Sequence, residues 1–360
     1  EVTADFKHEP ARKTLVEVFP TIDQFSVRTA GMPGAETFGA SFGPVITAVA
    51  PRTGETMGRF HWARVLRHEF THVMNMSQTE HRCPRWLTEG LAVWQEKVPF
   101  RFEWVPPALY RAATTDEMFT IDGLREAFVR PRRPTDGEMG YMQGFWVTEY
   151  LREKYGPDSI VRLLECFKQG MDDFDAFRAT TGKSAAEFER EYHAWAKERV
   201  KDWGYDQETA KKYKDVTERA EEHTKARQDD EGLKLWQEAN KLQPFSSLPH
   251  RRLAGLYLRQ KQIREAIPHL EALIPIELKD NRYAVRIARL YRDIDDVPNA
   301  QRYAMTAVYI DPYDPVAHEL LAELYERAGG REAQAKRERE VAALLKERQT
   351  AAPKGSPDGE

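Results

Sequence analysis

The chain has little cysteine and no long apolar run. Its two cysteines, Cys83 and Cys166, lie far apart and form no CxxC pair. The sequence therefore indicates neither a disulfide framework nor a thiolate zinc site, and we interpret both residues as buried thiols without a chemical role. The longest apolar run, residues 45–50 with Thr47 inside it, is far shorter than the about 20 residues that cross a bilayer. We expect no membrane span in this chain.

A strong excess of charge of one sign is also lacking. The formal net charge is -4, with 31% charged and 41% hydrophobic residues. This balance is typical of a folded, soluble protein and does not favour nucleic acid as a partner. Glu1 begins the sequence, and no basic start with an apolar core follows it. We expect either a removed leader or a piece of a longer chain, so the compartment is left open, a periplasmic or exported location included.

One helical stretch, His68-Glu69-Phe70-Thr71-His72, carries the residues of a metal site. Residues four apart stand one above the other on a helix, so the imidazoles of His68 and His72 can bind one cation. Glu69 lies beside that site rather than in it. A general base belongs there, close to a water that the metal activates but not among the ligands. Two surface histidines are the alternative, and the apolar neighbours argue against it.

The third zinc ligand must come from elsewhere in the chain, because zinc hydrolysis needs three protein ligands and one open position. The segment Trp86-Leu87-Thr88-Glu89-Gly90-Leu91-Ala92 begins a second predicted helix. Its distance from His72 leaves room for a loop and for a first turn that points Glu89 at the metal. Glu96 faces a similar direction but lies too far along the helix axis to be the third ligand. His81, in the loop, is a rival ligand.

Strand and helix patterns divide the first part of the chain. Residues 14–25 and 38–50, rich in Val, Ile, Phe and Thr, predict several short strands with an edge hairpin near residues 31–34. Residues 99–140 contain several prolines and predict an irregular segment with one short helix near residues 124–129, of the kind that forms a lid or a cleft wall. Elsewhere helical patterns extend over residues 59–77, 85–97, 141–155, 159–168, 172–179, 184–202 and 208–227. The helix from Ser184 opens on a capping box.

A repeat of about 34 residues follows and resembles the tetratricopeptide repeat, which has two antiparallel helices per unit. Aligning residues 247–280, 281–314 and 315–348 superposes four columns of apolar residues. These columns are Leu253, Ile287 and Leu321; Ala254, Ala288 and Ala322; Leu256, Leu290 and Leu324; and Tyr257, Tyr291 and Tyr325. We predict three to four repeats with degenerate ends. The predicted domains are residues 1–205 and 206–350, followed by a disordered tail at 351–360.

The two metal motifs resemble the gluzincin branch of zinc metallopeptidases, the thermolysin and aminopeptidase N type, in which HExxH precedes a glutamate ligand on the next helix. The segment WLTEGLA is similar to the WLNEGFA of the aminopeptidases. Residues 14–203 look like the peptidase MA-like domain found beside tetratricopeptide repeats in bacterial proteins. The resemblance implies His68, His72 and Glu89 as Zn2+ ligands and Glu69 as the catalytic base.

Three features depart from the family pattern. The spacing between His72 and Glu89 is tighter than in the aminopeptidases, and no GAMEN-like stretch precedes the first helix, so aminopeptidase specificity is not supported. Val93 stands where thermolysin-like enzymes carry an acidic partner. Whatever orients His68 must therefore come from another position.

A donor for the developing oxyanion is expected after the irregular segment. The stretch Tyr141-Met142-Gln143-Gly144 resembles the family's helix that carries a tyrosine or a similar polar group over the metal. We predict Tyr141 as this donor, with Gln143 as a weaker candidate. A packing role for the Tyr141 ring is the alternative.

These observations predict an α+β fold, with a small N-terminal sheet and a helical zincin-type metallopeptidase domain before an all-α tetratricopeptide-repeat solenoid. The predicted function is zinc-dependent hydrolysis of peptide bonds, with the repeats binding a protein partner or the substrate. The alternative is a catalytically inactive zinc-binding or peptide-binding scaffold. Glu69 argues against the scaffold, because a structural site gains nothing from a base. Hydrolysis of a non-peptide amide or ester is a third interpretation that the sequence leaves open.

Overall fold

The computed structural model describes residues 1–34, 37–51, 61–97, 103–275 and 281–351. Two compact units are present, one formed by residues 1–50 and 64–249 and a second that groups residues 51 and 61–63 with the chain from residue 250 onward. The predicted tail beyond residue 351 and the first residues of the helix predicted from residue 59 lie outside the described residues. Within the described ranges, no helix is both long enough and apolar enough to cross a bilayer.

Three short strands near the N-terminus form a mixed sheet. They are β1 (Leu15–Phe19), β2 (Gly39–Phe42) and β3 (Val45–Val49). The central strand, β3, pairs in parallel with β1 and antiparallel with β2. The β2–β3 hairpin turns at Gly43, whose φ of 57° lies in the left-handed region that glycine adopts without strain. Among the described strands, β2 is therefore an edge strand, and one of its faces lies against the helix that carries the HExxH motif.

A helix replaces part of the predicted strand region. After the short helix α1 (Val2–Phe6), the segment predicted as strand over residues 14–25 gives β1 and then helix α2 (Ile22–Ala30), so the strand prediction is wrong in its second half. The Thr21 side chain caps α2 by accepting the backbone N–H of Gln24, and Gly31 ends it at a φ of 75°. The hairpin predicted near residues 31–34 is also wrong, because the chain turns at Gly43 instead.

The rest of the first unit is helical. Its helices are α3 (Trp62–Gln78), α4 (Arg85–Glu96), α5 (Val105–Thr114), α6 (Ile121–Val129), α7 (Asp136–Tyr155), α8 (Ser159–Lys168), α9 (Asp173–Thr181), α10 (Ala185–Val200), α11 (Gln207–Lys225) and α12 (Asp229–Leu242). The irregular segment predicted over residues 99–140 is wrong where α5 lies, because Pro106 and Pro107 occupy the first turn of α5, where no backbone N–H is required. Residues 98–102 lie outside the described ranges. The capping box of Ser184 and Glu187 is confirmed.

Helices α4 and α7 cross at a pair of glycines. A Cβ on Gly90 would collide with the backbone of Gly144, reaching within 2.8 Å of its Cα. A Cβ on Gly144 would lie 2.8 Å from the carbonyl oxygen of Trp86. Side chains at these two positions would hold the helices apart, so the glycines permit direct backbone contact. This contact brings α7, which carries Tyr141, against α4, which carries Glu89.

Helix pairs succeed one another at the end of the chain. They are α13 (Ser247–Arg259) with α14 (Ile263–Leu273), α15 (Arg282–Asp293) with α16 (Val297–Ile310), and α17 (Pro315–Ala328) with α18 (Glu332–Ala351). Equivalent helices begin about 34 residues apart, as in tetratricopeptide repeats. In the aligned columns the Leu/Ile and Ala residues are buried except Leu290, which is partly buried and packs against the same core, so the columns form the repeat core. The predicted fold class, a small sheet with a helical domain followed by all-α repeats, is confirmed.

The position of α11 and α12 bears on the domain boundary. Both helices belong to the first compact unit, although the sequence predicts them to open the repeat domain. Ala220, Trp236 and Ala239 on these helices are buried, as the small and large apolar residues of helical repeats are. The boundary at residue 205 stays a prediction.

The close contact of α4 and α7 at Gly90 and Gly144 predicts how one methyl group added at this crossing changes stability. In Gly90→Ala the new Cβ meets only backbone of α7, so the helices must separate, and we expect a loss of about 1–3 kcal/mol in the free energy of unfolding. Chemical denaturation followed by tryptophan fluorescence measures it. The control is Gly137→Ala on α7, the helix that Gly90 contacts. A Cβ at Gly137 has nothing within 4 Å, so this variant should lose no stability. Equal stability of Gly90→Ala and the wild type would contradict the crossing.

Candidate metal centre

Helices α3 and α4 bring His68, His72 and Glu89 together. The Nε2 atoms of His68 and His72 lie 3.4 Å and 3.3 Å from the same oxygen, Oε2 of Glu89. One potential ligand atom from each of the three residues lies within 4.8 Å of the others. The connecting loop reverses the chain within a few residues because Glu80 and His81 adopt φ values of 52° and 66°. The sequence-predicted ligands are thus placed in one group.

The geometry of this group fits a zinc ion. Ligands bound tetrahedrally at about 2.0–2.1 Å lie about 3.3 Å from one another, close to the two measured separations. Oε2 of Glu89 is buried and has no hydrogen-bond partner among the described residues. A buried carboxylate oxygen without a partner is unfavourable unless a cation neutralises it. Two imidazole nitrogens and one carboxylate oxygen are also a ligand set that catalytic zinc uses.

A carboxylate orients His68. The Nδ1 atom of His68 lies 2.7 Å from Oε1 of Glu96, whose side chain is 3% exposed, and Nε of Arg64 lies 3.4 Å from the other oxygen of Glu96. An ionised carboxylate only accepts hydrogen bonds, so Nδ1 carries the proton and donates it. The lone pair of Nε2 is then directed to the ligand group.

A hydroxyl group orients His72. Its Nδ1 lies 2.8 Å from Oγ1 of Thr88, and the side-chain amide of Asn75 donates to the same oxygen at 3.3 Å. With Nδ1 protonated and donating to Thr88, Nε2 of His72 is available as a ligand. Thr88 directly precedes Glu89, so one turn of α4 supplies both a ligand and the group that orients another.

Sequence reasoning missed both orienting residues. It set Glu96 aside because this residue lies two turns beyond Glu89 and is too distant to be a ligand. That same distance places Glu96 beside the outer nitrogen of His68. Two features of the sequence could have indicated this role. Glu96 is a carboxylate on the same face of α4 as Glu89, and this chain has Val93 where thermolysin-like enzymes carry the acidic partner of the histidine.

The charge of Glu89 suits a cation. Burial raises the pKa of its carboxyl group, but when no cation is bound, hydrogen bonds and positive charge from protonated His68 and His72 outweigh burial and hold the pKa well below its usual range. The second oxygen, Oε1, faces Nε of the exposed Arg85 at 3.6 Å. Glu89 is therefore an anion with one oxygen directed at the two histidines.

Strand β2 forms a socket for Glu69, which is buried. The Ser41 hydroxyl lies 2.8 Å from Oε2 of Glu69 and 2.8 Å from its backbone oxygen. Two residues earlier on the same strand face, a Cβ on Gly39 would lie 2.8 Å from Cγ of Glu69 and 3.0 Å from its Oε1. Gly39 thus leaves the space that the Glu69 carboxylate occupies, and Ser41 fixes one of its oxygens. Sequence reasoning missed this socket.

Tyr141 lies close to the ligand group. Its ring centroid is 6.4 Å from that of His68 and 5.1 Å from that of Phe128, against which it packs edge-on. The neighbourhood of His68 is compatible with a donor role, and the contact with Phe128 is compatible with packing. The role of Tyr141 stays a prediction.

The weaker candidates lie in other environments. Gln143 is buried, and its Oε1 accepts the backbone N–H of Phe119 at 2.8 Å, which ties this side chain to the start of α6. His81 is exposed and does not belong to the ligand group. Cys83 and Cys166 are free thiols, and burial raises the pKa of Cys83.

A separate cavity of about 730 Å3 lies along α6. Met118 and Met139 contribute to its wall together with arginines that include Arg130 and Arg133. None of the three grouped ligands lines it.

Comparison with known proteins identifies part of the chain. Residues 47–198 match the Peptidase MA superfamily. The Bacillus subtilis (strain 168) protein YhcO, described as uncharacterized, is 26% identical over 147 residues, which cover 39% of this chain. That match spans 42% of YhcO, less than half of its length.

The matches to solved structures have low identity and low TM-scores. The structure described as MamA RS-1 ArsTM double mutant has a TM-score of 0.33 and 15% identity, covering 57% of this chain and 98% of its own. A crystal structure of MamA has a TM-score of 0.33 and 14% identity, covering 50% and 98%. The structure of MamA 41-end from Desulfovibrio magneticus RS-1 has a TM-score of 0.31 and 16% identity, covering 57% and 98%.

The contact between Glu96 and His68 predicts a loss of metal affinity. Glu96→Gln keeps the shape of the side chain but removes the charge that orients the imidazole, so we expect Zn2+ to bind about 10–100-fold more weakly. Competition with a chromophoric chelator measures the affinity. Glu80→Gln, at an exposed carboxylate in the neighbouring loop, is the control and should bind like the wild type. Unchanged affinity in Glu96→Gln would show that Glu96 does not orient His68.

Proposed function

The chain carries a Peptidase MA superfamily domain at residues 47–198, and we propose that this domain is a zinc-dependent metallopeptidase of the gluzincin type. The observation that carries the proposal is the buried, unpartnered Oε2 of Glu89, faced by two imidazole nitrogens at 3.3 Å and 3.4 Å. A buried carboxylate, Glu69, occupies its own socket beside this group.

His68, His72 and Glu89 hold the metal in this proposal. Zinc at the site would supply Lewis acidity, which polarises a peptide carbonyl and lowers the pKa of a coordinated water. The protein residues provide the orientation. Glu96 and Thr88 fix the outer nitrogens of the two histidines, so their Nε2 atoms do not have to reorganise when the metal binds.

Glu69 moves the proton. Its carboxylate accepts a proton from the attacking water and then donates it to the nitrogen of the leaving amine, so one residue serves as base and as acid. A side chain in this role must keep one position through both transfers. The Ser41 hydroxyl and the space above Gly39 support that position.

Tyr141 is the proposed donor to the carbonyl oxygen as negative charge develops there. The position of its ring beside His68 supports this role. The repeats are proposed to bind the protein substrate or a protein partner, with no role for nucleic acid.

In the alternative, a catalytically inactive scaffold, the domain binds zinc but does not hydrolyse peptide bonds. It gives no reason for a buried carboxylate held by a hydroxyl beside the ligands, because a structural zinc site needs no base. Cleavage of a non-peptide amide or ester would use the same groups and differs only in the substrate.

Removing the Glu69 charge separates the enzyme from the scaffold. We expect the wild type and Glu69→Gln to bind zinc equally, and cleavage of a mixed peptide library to fall about 100–10,000-fold in the variant because proton transfer is lost. Metal analysis and mass spectrometry of the library measure the two quantities. His68→Ala, which removes a ligand, should lose the metal. Zinc bound by a wild type that cleaves no peptide would overturn the peptidase, and full occupancy in His68→Ala would overturn the ligand assignment.

The socket predicts a smaller, selective effect. Ser41→Ala removes one hydrogen bond to the Glu69 carboxylate, so we expect kcat to fall about tenfold while KM and zinc content stay unchanged. Ser41→Thr keeps the hydroxyl on a residue suited to a strand and should restore kcat. Steady-state kinetics with one peptide from the library measure both constants. A parallel fall in zinc content would indicate a structural role instead.

A further inference from the structure

A row of arginines follows one face of α15 in the second unit. Arg282, Arg286 and Arg289 are exposed, and Arg292 is partly exposed. Their spacing of three or four residues places them on the same side of the helix. The opposite side of α15 is buried in the repeat core through Ala284, Ile287 and Ala288. The exposed face is therefore not needed for folding of the repeat.

This row forms one wall of a groove between α15 and α17. One part has a volume of about 460 Å3, and the adjoining part, of about 290 Å3, shares Arg289 and Val316 with it. The shared residues make the groove continuous. Apolar side chains form much of its base, because Val285 is 8% exposed, Leu320 is 4% exposed and Val316 is 39% exposed.

The acidic residues of the groove already have partners. Asp314 accepts the side-chain amide of Asn281 at 2.8 Å and the backbone N–H of Val316 at 2.9 Å. Glu323 accepts a hydrogen bond from Arg292 at 3.3 Å. Glu319 is paired with Lys346.

The two central arginines of the row, Arg286 and Arg289, have no such partners among the described residues. Within the described parts of the chain, Arg286 and Arg289 take part in no ion pair or hydrogen bond. Each guanidinium offers several N–H donors in a planar fork that matches a carboxylate. The groove thus combines carboxylates that are already hydrogen-bonded or ion-paired, two unpaired cations and an apolar base.

We propose that this groove binds an acidic segment of another protein. A glutamate or aspartate of the segment pairs with Arg286 and Arg289, and an apolar side chain of the same segment packs on Val316, the exposed apolar residue that both parts of the groove share. The proposal gives a chemical class to the partner of the repeats under the proposed function. It does not depend on peptide cleavage.

Nucleic acid fits the groove less well. The side chains that line both parts include no aromatic residue on which a base could stack. The carboxylates of Asp314, Glu319 and Glu323 would also repel a run of phosphates. A peptide places single carboxylates between neutral residues, so it can contact the two arginines without facing these three groups.

Fluorescence anisotropy with two labelled peptides tests the proposal. One peptide carries glutamate and leucine, and the other has glutamine in place of every glutamate. The complete chain with Glu69→Gln is used throughout, so that cleavage cannot consume the probe. We expect the glutamate peptide to bind at least about tenfold more tightly than the glutamine peptide. Joint substitution of Arg286→Glu and Arg289→Glu should remove this difference.

A matched charge reversal provides the control. Arg337→Glu on α18 changes an exposed arginine that does not line the groove, and the affinity for the glutamate peptide should stay within about twofold. Circular dichroism checks that each variant is folded, and single Arg286→Gln and Arg289→Gln variants replace the joint variant if it is not. Equal binding of the two peptides, or an equal loss in Arg337→Glu, would overturn the proposal.

A single-stranded oligothymidylate of equal charge is the third probe. If it bound more tightly than the glutamate peptide and lost affinity in the joint variant, the groove would be a nucleic-acid site and the proposal would be wrong. These results are independent of catalysis, because all binding is measured in the Glu69→Gln background. A wild type that cleaves nothing would leave the binding result unchanged.

Discussion

A buried carboxylate oxygen without a hydrogen bond is the constraint on which the first unit depends. Leaving Oε2 of Glu89 unsatisfied costs about 1–3 kcal/mol or more for a charged group, yet the fold places two imidazole nitrogens beside it and no donor in hydrogen-bonding geometry among the described residues. Such an arrangement is stable when a cation occupies the space between the three atoms. The tight loop between α3 and α4 and the glycine contact between α4 and α7 both serve to bring these elements together.

The residues around the three grouped side chains fix the orientation of the two histidines and of Glu69. Glu96 and Thr88 each hold the outer nitrogen of one histidine, and Ser41 holds the carboxylate of Glu69. These contacts come from α4 and from the edge strand β2, so the small sheet contributes to the site although it supplies no ligand. In the proposed reaction, preorganisation of this kind would lower the cost of reorganising the site during proton transfer.

Much of this arrangement was predictable, for identifiable physical reasons. Helical periodicity places His68 and His72 on the same side of α3, and the repeat columns follow from the same periodicity. The structure brings Glu89 to both histidines, while zinc binding itself stays a prediction. Helix α2 was missed because its Ile, Phe and Val resemble strand residues, and α5 was missed because its prolines suggest a loop. The Ser41–Glu69 contact joins residues on separate elements, and no local pattern indicates such a tertiary contact.

The most direct test is an anomalous difference map at the zinc absorption edge, from crystals of the zinc-loaded chain. The account predicts a peak bonded to Nε2 of His68, Nε2 of His72 and Oε2 of Glu89, each at about 2.0–2.2 Å. A zinc peak at another position, or no peak at this group in the loaded protein, would contradict the account.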